Sequence, residues 1–287
     1  MKIVIVGKNS YIGQHIGSWI AAKKQSVLVE YVDSYTEWEH YSFTGVDSVI
    51  VVAGIVHHPE IRDWATYDKV NIQLPVAVAQ MAKSAGVSQF VFLSTMAVYG
   101  RGKRLKSNYI SKNDIPNAED MYGKSKYFAE QKLYELEDIN FKIAIVRPPN
   151  VYGKGCRGGY IAGFASVLKK IPIIPVAFEN VKQSVIFIDN LCELIWLIVL
   201  DKLEGVFEPQ DDHAVSAVEI MEGIAIGLGL KRKKSKILGV VVKMLSWMSI
   251  VKKAYGGIAY KKECSVINGV NYIVTPFIEA IKNSVSE

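Results

Sequence analysis

Tyr122 and Lys126 stand four residues apart, a spacing that puts a phenol and an ammonium on one helix face, one turn apart. Upstream, Ser94 and Thr95 close the apolar run Phe90-Val91-Phe92-Leu93, which reads as a buried strand. Brought together, the phenol, ammonium and hydroxyl could move a proton on and off an alcohol or ketone oxygen. In that arrangement Lys126 is expected to favour the phenolate and lower the Tyr122 pKa, while Thr95 hydrogen-bonds the reacting oxygen. The same Tyr-x-x-x-Lys spacing arises on ordinary solvated helices, so its weight depends on the elements around it.

Those elements alternate. Ile3-Val4-Ile5-Val6 reads as a continuous apolar strand, Gly7-Lys8-Asn9-Ser10-Tyr11-Ile12-Gly13 as a turn, and a helix follows to about Lys24 with Ile16, Trp19 and Ile20 inward. Strand, glycine turn and helix N-terminus make a cradle where backbone N–H groups and the helix dipole meet a pyrophosphate. Ser10 stands where such a turn usually has its middle glycine. A second strand, Val27 to Asp33, ends in an acid about 20 residues past the turn, where a carboxylate accepts from an adenosine ribose hydroxyl. No Arg or Lys flanks Asp33 to hold a 2′-phosphate, which favours NAD over NADP as cofactor; Glu30 is the rival carboxylate. Residues 34–46 are too few for a full helix and strand, so the adenine side of the sheet is expected to be trimmed.

Val49 to Gly54 reads as another buried strand, whose small Ala53 and Gly54 let backbone approach a ligand. His57 and His58 follow, but without a third ligand at metal spacing a solvated loop is the better reading, and no metal site is expected. A helix over about Tyr67–Ala85 carries a core stripe of Val70, Leu74, Val78 and Met81, and Pro75 should kink it or delay its start. A polar, basic loop from Arg101 to Lys112 leads to the Tyr122 helix, and Ile143-Ala144-Ile145-Val146 is the next strand. The alternation predicts an α/β fold, a Rossmann-type doubly wound parallel sheet. In such sheets ligands sit at the carboxyl ends of the strands, where Gly7, Asp33, Ala53 and Thr95 all fall.

With 287 residues, half of them hydrophobic, the chain can bury one large core or two modest ones. Its net charge of +6 suits an anionic small substrate and, unless clustered, is weak evidence for nucleic acid. Cys156, Cys192 and Cys264 are scattered and odd in number, as free thiols in a reducing compartment are. The N-terminus runs straight into a strand rather than a signal peptide, and no run is long enough for a membrane span, so a cytoplasmic location is expected.

Taken together, Gly7 to Gly13, Asn71, Ser94-Thr95-Met96-Ala97-Val98-Tyr99-Gly100, Tyr122 to Lys126, Arg147-Pro148-Pro149-Asn150-Val151-Tyr152-Gly153 and Phe187-Ile188-Asp189-Asn190-Leu191 resemble, in order, the motifs of extended short-chain dehydrogenase/reductases. That family comprises NAD-dependent nucleotide-sugar epimerases, dehydratases and reductases. The resemblance implies Thr95, Tyr122 and Lys126 as catalytic residues, with Tyr122 the acid/base. It places Gly7, Asn9, Ser10, Tyr11, Ile12, Gly13, Asp33, Ala53, Gly54, Asn71, Ser94, Tyr122, Lys126 and Pro148 around NAD. Thr95, Met96, Tyr122, Asn150, Arg157, Lys182 and Gln183 fall around a nucleotide sugar. The family commonly carries an Arg where this chain has Lys182-Gln183-Ser184; Lys182 could supply the charge, but as a point charge rather than a planar fork. Sugar dehydratases carry Asp-Glu after the Thr, and Met96-Ala97 here argues against elimination.

The expected organisation is a dinucleotide-binding domain over 1–153, with a helix at about 190–201 packing back on it, and a smaller substrate lobe over 154–287. Lys154 to Tyr160 reads equally as a diphosphate clamp or a linker. Lys231-Arg232-Lys233-Lys234 reads as a solvated helix–loop junction. Ile237 to Val251 reads as one helix closing the lobe, with contact to a membrane surface or another subunit the lesser reading. By resemblance, the expected function is an NAD-dependent 4-epimerase acting on a UDP-linked hexose in bacterial surface-polysaccharide synthesis. The alternatives are an NAD(P)H-dependent 4-ketoreductase and a non-enzymatic NAD-sensing regulatory protein. No nucleic-acid partner is expected, and a homodimer is an expectation of the resemblance alone.

Overall fold

The computed structural model describes residues 1–23, 26–56, 63–100, 102, 104–156, 159–267 and 269–286. His57, His58, Arg101 and Arg157 lie outside the described residues. The chain divides into two compact units, one of Met1–Gly100, Ile115–Pro148 and Leu191–Glu208, the other of Arg101–Asp114, Pro149–Asn190 and Pro209–Glu287. The division therefore differs from a single cut at 153: the basic loop after Gly100 groups with the later part of the chain.

The first unit is built on a six-stranded sheet. Its strands are β1 (Lys2–Val6), β2 (Leu28–Val32), β3 (Ser48–Val51), β4 (Gln89–Leu93), β5 (Lys142–Val146) and β6 (Gly205–Phe207). They run parallel in the order β6-β5-β4-β3-β1-β2. Strands covered on both faces need apolar residues at every position, which is why the runs at Ile3, Val49, Phe90 and Ile143 are continuous and fully buried. Winding reverses between β1 and β3, opening a crevice at their carboxyl ends. Between β2 and β3 the chain makes only a short 3-10 turn, Trp38–His40, so the sheet ends at β2.

Helices α1 (Tyr11–Lys23), α2 (Leu74–Ser84) and α3 (Met121–Tyr134) belong to this unit. Before α2 the helix is not a simple one: Trp64–Tyr67 is α-helical and Asp68–Gln73 forms π turns. Pro75 has no N–H to give the carbonyl of Asn71 four residues back, and the wider turns absorb the mismatch. α3 begins at Asp120, whose carboxylate accepts from the Gly123 amide at 2.7 Å. The described residues include no helix long and apolar enough to cross a membrane.

In the second unit Asn150–Tyr152 pairs with Val185–Phe187, Tyr109–Ile110 with Ala259–Tyr260, and Ile173–Pro175 with Lys233–Ser235. The last pairing corrects the reading of Lys231 to Lys234 as a helix–loop junction. Alternate lysines can stand out from a short edge strand into water, and Lys234 also pairs with Glu222 at 2.7 Å. Ile237 to Val251 is likewise not one helix but two, Lys236–Met244 and Ser249–Tyr255. Between them the ladder tightens to three-residue bonds, Ser246 N–H to Lys243 and Met248 N–H to Leu245, which end the first helix.

Candidate active site

At the end of β1, Gly7 adopts φ +120°, and a Cβ there would lie 2.8 Å from Val52 Cγ2 and 3.0 Å from the Ala53 nitrogen. A Cβ on Gly13 would lie 2.9 Å from Val52 Cγ2 and 3.2 Å from the Gly7 carbonyl oxygen. Both glycines are therefore required for the backbone to turn tightly from β1 into α1. Ser10 has a role a glycine could not fill. Its amide donates to Gly7 O at 2.9 Å, and its hydroxyl accepts from the Gly13 amide at 3.3 Å, capping α1. Asn9 reaches across to Asp33, Nδ2 to Oδ2 at 3.4 Å.

Asp33 follows β2 directly and is half-buried. Its Oδ1 accepts from the amides of Tyr35 and Thr36 at 2.8 and 3.1 Å, and the first of these bonds contributes most to lowering its pKa. Glu30, the rival, is committed elsewhere: Tyr41 donates to it at 2.5 Å and Lys2 pairs with it at 3.1 Å.

The segment after β4 meets the start of α3 closely, because a Cβ on Gly123 would lie 2.6 Å from the Ala97 carbonyl oxygen. That approach brings Thr95 to Tyr122, whose side chains hydrogen-bond. Thr95 Oγ1 also accepts from the Ala97 amide at 3.1 Å, Met96 N–H donates to Pro148 O at 3.0 Å, and Ser94 N–H to Val146 O at 2.7 Å. One turn on, Lys126 is buried, its Nζ 2.9 Å from Leu93 O and 3.5 Å from Ala53 O, and 4.4 Å from the Phe92 ring centre. Asn71, fully buried in the π segment, accepts from the Ile55 amide at 2.8 Å and donates to Ser125 Oγ at 2.9 Å. A side chain at Gly54 would press on this Lys126–Asn71 pair, at 3.0 Å from Nζ.

Burial pushes the Lys126 ammonium down to about 7, opposed by the negative charge of Glu130. Burial pushes the Tyr122 phenol up to about 12; the Thr95 hydrogen bond opposes this, and the charges of Asp120 and Tyr67 add to it. The Tyr122 pKa, expected to be lowered by Lys126, is instead raised by burial of the phenol. The ammonium is turned toward strand carbonyls, and desolvation dominates at the phenol.

Beneath these groups lies a buried ionic network that the sequence reading did not single out. Arg147 grips Glu130 with Nε at 3.1 Å and Nη2 at 2.6 Å, and donates through Nη1 to the Tyr99 hydroxyl at 2.8 Å. Ser94 donates to Glu130 and Tyr99 to Glu208. The signal for Glu130 was its place four residues past Lys126, on the same helix face. The network ties the ends of β4 and β5 to α3, so it fixes where Thr95 and Lys126 stand.

Thr95, Tyr122, Lys126, Asn71, Ser94, Met96 and Pro148 thus gather in the first unit with the glycine turn. Asn150, Lys182 and Gln183 belong to the second. There Asn150 is exposed at the start of its strand. Lys182 is paired with Glu219 at 2.5 Å, and the same carboxylate caps the helix Ala217–Gly227. Gln183 is buried, its backbone paired with Val215. Asn190 and Tyr152 converge on Asp211, whose burial pushes its carboxyl up to about 6; they form a structural knot. The described residues contain no group of three or more His, Cys, Asp or Glu able to hold a metal.

The sequence pattern of the NAD dependent epimerase/dehydratase family matches residues 3–208. A UDP-glucose 4-epimerase of Vibrio cholerae is 32% identical over 181 residues, covering 61% of this chain and 54% of that protein. A UDP-2-acetamido-2,6-beta-L-arabino-hexul-4-ose reductase of Pseudomonas aeruginosa is 24% identical over 232 residues, 77% of this chain and 56% of that one. The chain thus spans about half the length of the curated relatives it matches. Among solved structures, a UDP-glucuronic acid 4-epimerase of Bacillus cereus in complex with NAD superposes with a TM-score of 0.72 at 17% identity, over 100% of this chain and 97% of that one, a likeness of fold.

Proposed function

The chain belongs to the NAD dependent epimerase/dehydratase family, and on that premise we propose that it binds NAD and interconverts nucleotide sugars as a 4-epimerase, by transient oxidation at C4 of a UDP-hexose. The observation that carries this reading is the hydrogen-bonded Tyr122–Thr95 pair one helical turn from the buried Lys126.

The tight turn between Gly7 and Gly13, which a Cβ would obstruct, suits a dinucleotide diphosphate, with the amides at the start of α1 as donors. Asp33 would accept from the adenosine ribose and repel a 2′-phosphate. NAD, held by the glycine turn, Asp33 and Lys126, would supply a reversible acceptor for the C4 hydrogen and its electron pair. The chain's own residues manage the proton. Tyr122 takes it from the C4 hydroxyl and gives it back, and Thr95 orients that oxygen. Lys126 would hold the nicotinamide ribose; ribose hydroxyls around the ammonium would favour its charged form, and that charge favours the phenolate. Met96 and Ala97 cannot exchange protons, so those two positions do not support elimination.

A second reading, a 4-ketoreductase consuming NAD(P)H, uses the same residues in one direction and draws support from the Pseudomonas relative, aligned over 77% of this chain. A purely NAD-sensing protein would not need Tyr122 and Lys126, both present here. Mass spectrometry of nucleotides released on denaturing the purified protein separates these readings. Stoichiometric NAD supports the epimerase, freely exchanging NAD(P)H the reductase, and absence of any dinucleotide affinity removes both.

A further inference from the structure

Between Lys231 and Lys262 the chain carries ten Lys and Arg residues and no Asp or Glu. The whole chain's net charge is +6, so everything outside this segment sums to −4. The positive charge is therefore gathered in one stretch.

The same stretch exposes apolar side chains. The helix Lys236–Met244 turns its buried side inward at Gly239, where a Cβ would lie 1.9 Å from the Val176 carbonyl oxygen. That close approach fixes the helix's rotation and leaves Ile237, Val240, Val241 and Met244 in a stripe on the outer side, at helical spacing. Ile237 is 83% exposed and Met244 68%. The stripe continues past the turn, with Trp247 71% exposed and Ile250 66%. An amphipathic helix normally buries such a stripe; here it faces out, flanked by exposed Lys233, Lys236, Lys243, Lys252 and Lys253.

We infer that this surface docks the protein on an anionic lipid bilayer. Short helices with an apolar outer stripe, a tryptophan at the turn and lysines beside it have the composition of an element that lies in the headgroup region. Helices of nine and seven residues are far too short to cross the hydrocarbon core, so the contact is peripheral. A second copy of the chain fits the surface poorly. A two-fold contact would set the same two helices, which carry lysines and no acid of their own, against themselves. A nucleic acid would satisfy the lysines but leave the apolar stripe in water.

The test is co-sedimentation of the full chain with vesicles of phosphatidylglycerol and phosphatidylcholine, against phosphatidylcholine alone. Binding is expected to the anionic vesicles, weakened by salt, with Trp247 emission moving to shorter wavelength. Lys252→Gln with Lys253→Gln should weaken it about fivefold per lysine. Ile237→Asp with Met244→Asp should weaken it by at least about tenfold while leaving the melting temperature unchanged, because both side chains are exposed. No affinity for anionic vesicles would overturn the inference, as would full binding by the aspartate variant, which would mean charge alone. An oligomer that this variant dissociates, without vesicle binding by the parent, would assign the face to a second copy and equally overturn it.

Discussion

Replacing Lys126 by Met should make the cofactor-free protein more stable while abolishing turnover. Burial brings the lysine from 10.5 down to about 7. At ~1.4 kcal/mol per unit, holding the ammonium in that site costs about 4 kcal/mol at neutral pH. The sign follows from proton counting. The folded pKa is the lower one, so between about 7 and 10.5 the unfolded chain holds more protons, and this group's contribution to stability rises with pH through that window. Methionine removes the charge but gives up the bonds to Leu93 O and Ala53 O. Each carbonyl left unpaired costs about 1–2 kcal/mol. The balance is a gain of about 1–2 kcal/mol at pH 7 that vanishes and reverses as the pH approaches 10. Urea unfolding of both proteins at pH 7, 8 and 9, compared through their midpoints at equal slope, isolates the lysine from other titrating groups. A variant less stable than its parent at pH 7, with a difference that does not change with pH, would mean that the buried ammonium carries no such cost. A bound dinucleotide that keeps the ammonium charged should cancel the variant's advantage.

Three further outcomes are expected. Tyr122→Phe should lower turnover by about 10²–10⁴ while NAD affinity measured by calorimetry stays within a few-fold, since only the phenolic oxygen is lost; a near-parental rate would remove Tyr122 from the chemistry. The parent should prefer NAD(H) to NADP(H), and Asp33→Ala should narrow that gap; an NADP preference in the unmodified protein would sink the role given to Asp33. In deuterated water with NAD and candidate UDP- or dTDP-hexoses, NMR should show no 4-keto-6-deoxy product carrying deuterium at C5, because neither Met96 nor Ala97 can move a proton there.

The sheet was legible because parallel strands buried on both faces announce themselves as unbroken apolar runs, as at Ile3 and Phe90. Tyr122 and Lys126 were legible as a pair because four residues is one helical turn. What the sequence concealed were contacts between distant positions. The Glu130–Arg147–Tyr99–Glu208 network draws on separate segments that only the folded sheet brings together. The direction of the Tyr122 pKa is set by how deeply the phenol is buried, which spacing does not determine. The π segment around Asn71 was visible only as a proline inside a helical pattern. Lys182, read as a candidate for the substrate's phosphates, is held by Glu219, thirty-seven residues on. Ile237 to Val251 was read as a helix closing the lobe because the run is apolar; only the approach of Gly239 to Val176 shows which way the stripe of Lys236–Met244 points.

The most direct test of the proposed activity uses UDP-glucose carrying deuterium at C4, incubated with the protein and NAD in ordinary water. UDP-galactose that retains deuterium at C4 is expected, because hydrogen leaves and returns to the same carbon without meeting solvent while Tyr122 handles the hydroxyl proton. Loss of the label to water during epimerisation, or failure to epimerise this or any other C4-labelled UDP-hexose with NAD present, would contradict the proposed activity.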